Sequence, residues 1–67
     1  MLLAALKSYY VGHINKHIAN IEIYLNRSAG IGEHSDVTEA VIAELDKLAA
    51  AQDRLDMIDK YFSKEIL

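Results

Sequence analysis

The chain has 67 residues, no cysteine, no proline and a formal net charge of −3. A sequence this short supports one domain, and it holds no disulfide or thiolate metal site. The Met1–Leu6 start lacks the basic lead of a signal peptide, and no apolar run approaches the ~20 residues that span a bilayer. The expectation is a cytoplasmic protein that does not enter a membrane.

Alanine, leucine and isoleucine are abundant, and without proline nothing forces a break in a helix. The first helix is predicted over about Leu2–Arg27. Val11, Ile14, Ile18, Ile21 and Leu25 recur at alternating three- and four-residue steps, which draws one apolar stripe. Tyr10, His17 and Tyr24 repeat every seven residues beside it, and Leu3 extends that row. Gly12 is a weak point in the helix interior, costing about 1 kcal/mol against alanine. It marks either nothing or the close approach of another backbone.

Residues 28–35 read as a turn, and they hold two of the three glycines. Gly30 suits the left-handed residue past a helix end, with Ile31 folding back on Leu25. Asp36 is the favoured N-cap of the next helix, with Ser35 its rival and Glu39 placed to complete a capping box.

The second helix is predicted over about residues 36–63. Its stripe is Val41, Leu45, Leu48, Leu55, Ile58 and Phe62, with Ala51 and Gln52 at the middle. Lys47, Lys60 and Lys64 alternate with aspartates on the remaining faces and read as solvated surface. A second row, Ala43, Ala50 and Met57, offers small side chains to a close neighbour.

In an antiparallel hairpin, facing positions have a constant sum. Leu25 then meets Val37, Ile21 meets Val41, Ile18 meets Leu45 and Ile14 meets Leu48. Farther out, Val11 meets Ala51 or Gln52, and Leu3 or Ala4 meets Ile58. Residues 1–27 carry three bases against one acid, and residues 36–67 carry eight acids against four bases. That imbalance favours pairing the two helices. It also argues against a nucleic-acid surface, which needs clustered lysine and arginine.

The fold expected is therefore all-α: a two-helix antiparallel hairpin. The Tyr10, His17, Tyr24 row and the alanine row would stay wet in one copy, so two copies are expected to join as a dimeric four-helix bundle. The apolar ends, Leu2, Leu3, Leu6, Tyr9, Phe62, Ile66 and Leu67, would gather at one pole.

Chemistry-bearing residues are few. His13 and His17 lie four apart and can point to one side of a helix, a spacing that pinches a divalent metal. The metalloprotease pattern needs glutamate after the first histidine, and Ile14 stands there. No third ligand follows at helical spacing, and Asn15 and Asn20 are poor ones. The alternative is a half-buried interface role for His17 between Tyr10 and Tyr24, with His13 solvated. Glu33, His34, Ser35 and Asp36 collect acid, imidazole and hydroxyl groups, but sequence neighbours in an exposed turn make no pocket. Tyr9, Tyr10, Tyr24, Tyr61 and Phe62 read as packing aromatics rather than base-stacking ones.

The stretch from Gly12-His13-Ile14-Asn15 through Tyr24-Leu25-Asn26, then Gly30-Ile31-Gly32-Glu33-His34 and the closing Ile58-Asp59-Lys60-Tyr61-Phe62, resembles small helical proteins encoded by marine T4-like phages of cyanobacteria. The resemblance implies a phage-encoded protein acting in bacterial cytoplasm and carries no activity with it. The function expected is a homodimeric structural or interaction module with an unknown protein partner, not an enzyme, with no cofactor. Divalent-metal binding at His13 and His17 is one alternative. A nucleic-acid accessory role using Lys7, Lys16 and Arg27 is the other.

Overall fold

A computed structural model describes residues 1–27 and 34–62. Helix α1 spans Leu2–Arg27 and helix α2 spans His34–Tyr61. Side-chain pairs fix their relation. Lys7 reaches Asp59, while His17 and Asn20 both reach Glu44. Rising numbers on α1 meet falling numbers on α2, so the helices pack antiparallel, as a hairpin. Gly30, Gly32, Glu33 and the expected stop beneath Ile31 lie outside the described residues, as do Ile66 and Leu67.

Helix α2 starts at His34, so Asp36 stands within its first turn instead of capping it. There its carboxylate still faces the positive end of the helix dipole. The boundary moves by two residues, the usual latitude at a helix end.

The seam between the helices runs along faces other than those the apolar stripes indicate. On α1 the covered or half-covered positions include Leu3, Lys7, Tyr10, Ile14, His17, Ile21 and Tyr24. On α2 they include Val37, Val41, Glu44, Leu48, Ala51, Leu55 and Ile58. Both rows step by alternating fours and threes, the spacing of a coiled-coil seam. Ile14, Ile21, Val41, Leu48, Leu55 and Ile58 hold the inner places expected of them.

The rest of the expected stripe does not. Val11, Ile18 and Leu25 remain 44%, 39% and 63% exposed, and Leu45 and Phe62 48% and 53%. The row expected to stay wet, Tyr10, His17 and Tyr24, is the one turned inward. Three of the proposed pairs change with it, because Leu25, Ile18 and Val11 are outside. Two physical causes account for the rotation of α1. The inner row places bulky rings across the seam from a helix whose mid-length residue is the small Ala51, which is only 4% exposed. It also gives the His17 imidazole a carboxylate partner that Ile18 could not use.

The resulting core is thin. Ala51 and Ile58 are the buried hydrophobic residues among those described, joined by the polar His17 at 5% exposure. At the open pole Leu2, Tyr61 and Phe62 are all more than half exposed. The Lys7–Asp59 ion pair at 3.0 Å ties that pole together, but both side chains are partly in water. Such a pair stabilises by at most about 1 kcal/mol. No helix among the described residues is long and apolar enough to cross a membrane.

Candidate functional site: a basic aromatic groove over a buried histidine

At the middle of the seam, His17 Nδ1 lies 2.7 Å from Glu44 Oε1, and the Asn20 side-chain amide donates to the same oxygen at 3.0 Å. Nδ1 therefore carries the proton in this contact and donates it, since an ionised carboxylate only accepts. These bonds hold the Glu44 carboxyl below its ordinary value of 4.5, the His17 bond foremost and the Asn20 bond next. Burial works against them, and the charges of His17 and Lys47 add a little in the same direction.

The other ring nitrogen of His17, Nε2, has no hydrogen bond to any described residue. No fully buried side-chain nitrogen or oxygen is left without a partner among the described residues, so Nε2 keeps some contact with solvent. His17 also lines a groove of about 380 Å³.

On α1 the groove wall is Tyr9, Tyr10, His13, Lys16 and His17. On α2 it is Lys47, Ala50, Ala51 and Arg54. Helical geometry explains the gathering. His13 and Lys16 follow Tyr9 and Tyr10 along one flank of α1. Lys47 and Arg54, one heptad apart, occupy the same flank of α2. Ala50 and Ala51 supply the depth, because methyl groups leave room where longer side chains would fill it. The rings form a ladder: Tyr9 to Tyr10 at 5.1 Å edge-on, Tyr9 to His13 at 4.4 Å, and His13 to His17 at 5.9 Å.

The groove wall contains no acid. Lys16, Lys47 and Arg54 make no ion pair among the described residues. In a chain of ten acids and seven bases, such segregation is notable.

His13 and His17 do stand side by side, as their spacing suggested, and His13 is half-buried rather than solvated. They have no third ligand: among the described residues no group of three or more histidines, cysteines or carboxylates could hold a metal ion. The surrounding ammonium and guanidinium groups would also repel a cation. Of the expected basic edge, Lys16 lines the groove, Lys7 is engaged with Asp59 toward the open pole, and the Arg27 side chain lies outside what the structure describes. Asp36 is exposed and belongs to no pocket.

Sequence reasoning missed Glu44, Lys47 and Arg54. Glu44 had a signal: it interrupts the inner apolar row of α2 as His17 interrupts that of α1, and two interruptions at matching heights point to a pair. Lys47 and Arg54 had only their seven-residue spacing, hidden among the alternating charges of α2. Comparisons with protein-family models, curated proteins and solved structures find no match.

Proposed function

We propose that the protein is a self-associating helical module whose working form is a two-fold dimer, a four-helix bundle of two hairpins. One observation carries this reading. On the flank opposite the groove an aliphatic row of α1 and two aliphatic residues of α2 are exposed to solvent. Val11, Ile18 and Leu25 repeat along α1, and Ile42 and Leu45 lie on the same side of α2, at 52% and 48% exposure. Successive residues on a helix differ by about 100°, so Val11 and His13 point nearly opposite ways. The hairpin thus exposes an aliphatic row on the flank away from its basic groove.

A second copy is the occupant that best suits that flank. Both helices contribute aliphatic side chains, so a two-fold operation lays apolar surface on apolar surface. The need is also internal. With Ala51 and Ile58 as its buried hydrophobic residues among those described, one hairpin excludes little surface from water. Chains of this size commonly require a partner chain when disulfides and metals are absent. The dimer would serve as a scaffold or interaction module, and the resemblance to cyanophage proteins makes infected bacterial lysate the place to seek a third protein bound to it.

Sedimentation equilibrium across a concentration range tests the reading. The parent should sediment as a dimer, and Ile18→Glu with Leu45→Glu should lower its mass or unfold it. A parent that remains monomeric and fully helical at micromolar concentration overturns the proposal.

A further inference from the structure

The basic groove lies on the flank that the proposed dimer leaves open, so its occupant is a separate question. Its walls set the terms. Three cationic side chains, Lys16, Lys47 and Arg54, line one groove with two imidazoles, and no carboxylate lines it. Bringing like charges together across a groove is unfavourable unless an anion neutralises them. A single carboxylate would leave most of that charge unanswered. A phosphate or diphosphate group answers it better: it carries about two or more charges, accepts several hydrogen bonds, and matches the planar fork of arginine.

The remaining walls call for something flat. Tyr9 is 57% exposed at the rim, and its ring already packs at 4.4 Å against His13. Tyr10 and His17 continue the ladder inward, and Ala50 and Ala51 leave the floor smooth. At about 380 Å³ the groove falls within the range of small-molecule sites. We infer that this groove binds a small phosphate-bearing molecule with a planar ring, of the mononucleotide class. Lys16, Lys47 and Arg54 hold the phosphates, and the ring lies along Tyr9. His17 also lines the groove, its ring fixed by the Glu44 bond.

A nucleic-acid strand is a poorer occupant. Of the bases outside the groove, Lys7 is paired with Asp59, while Asp46, Asp53, Asp56 and Asp59 are all exposed on the second helix and would repel an extended backbone.

The test uses the full-length protein, isotopically labelled, with amide and side-chain resonances followed during titration. The probes are ADP, inorganic pyrophosphate and a short single-stranded oligonucleotide, at low and at raised salt. ADP should shift resonances of Tyr9, His13, Lys16, Lys47 and Arg54, bind more tightly than pyrophosphate, and weaken as salt rises. Arg54→Gln and Lys47→Gln alter exposed positions and should leave the helical signal intact. Each should weaken ADP about tenfold, the loss of one charge-assisted contact. Tyr9→Ala should weaken ADP and leave pyrophosphate unchanged. Absent shifts at low salt, or ADP affinity indifferent to both charge substitutions, overturns the assignment. Pyrophosphate binding as tightly as ADP overturns the role given to Tyr9. An oligonucleotide binding more tightly than ADP overturns the small-molecule reading in favour of a strand.

Discussion

Ile58→Ala is the most direct probe of the thin core. Ile58 is 8% exposed and, with Ala51, makes up the buried hydrophobic set among the described residues. Truncating a buried isoleucine to alanine costs about 2–5 kcal/mol, the larger values arising where an enclosed cavity persists. Ile58 sits toward the open pole, where exposed Leu2 and Tyr61 leave the packing loose. Its neighbours can settle into the gap, so the lower end applies, about 2 kcal/mol. In a chain of 67 residues this lowers the melting temperature by roughly 8–16 °C. Ile58→Val removes less and should fall by about a third to a half as much. Thermal unfolding followed by far-ultraviolet circular dichroism measures both, at fixed protein concentration because association shifts the midpoint. If Ile58→Ala melts within a degree or two of the parent, Ile58 does not lie in the seam, and the pairing of the helices is wrong.

Leu48→Asp puts an unpaired carboxylate at an inner position of α2 and should abolish the cooperative helical transition; an unchanged melting curve would show the seam lies elsewhere. Gly12→Ala should stabilise by about 1 kcal/mol, because an added Cβ meets nothing within 4 Å and the position gains helix propensity. Loss of dimer mass in that variant would instead place a second backbone against Gly12. The Glu44 carboxyl is held below 4.5 in the folded chain, so its contribution is fully present above that pH and is lost as the pH falls through the lowered folded value. Melting temperature measured downward from neutral pH should therefore drop on the acid side, and Glu44→Gln should flatten that drop; an identical acid limb in the variant refutes the assignment.

The two-helix hairpin was legible in the sequence, and so was half of its seam. Ile14, Ile21, Val41, Leu48, Leu55 and Ile58 are inner residues by apolar spacing alone. The error concerned which neighbour completes the row. Periodicity favours Val11, Ile18 and Leu25 because they are more hydrophobic than Tyr10, His17 and Tyr24. Packing does not rank side chains by hydrophobicity alone. An imidazole that finds a carboxylate across the seam favours a row that aliphatic side chains, with no polar partner to offer, do not. The histidine pair was visible from its spacing; what faces it was not. The groove needs Lys47 and Arg54 from the second helix, and no local pattern in one helix announces a partner contributed by the other.

The hydrogen-bonded trio of His17, Asn20 and Glu44 carries a consequence for alignment. Alanine and isoleucine tolerate many neighbours, so a seam built of them alone could slide lengthwise with little loss. Moving one helix by a turn brings the Glu44 carboxylate level with Ile14 or Ile21, and moving it by two turns brings it level with Tyr10 or Tyr24. A one-turn slip sets the ionised group against isoleucine, which offers it no donor, and either slip gives up the paired bonds from His17 and Asn20. A polar peg at mid-length therefore indexes the two rods to a single setting, and the basic groove, whose walls come from both rods, exists only at that setting.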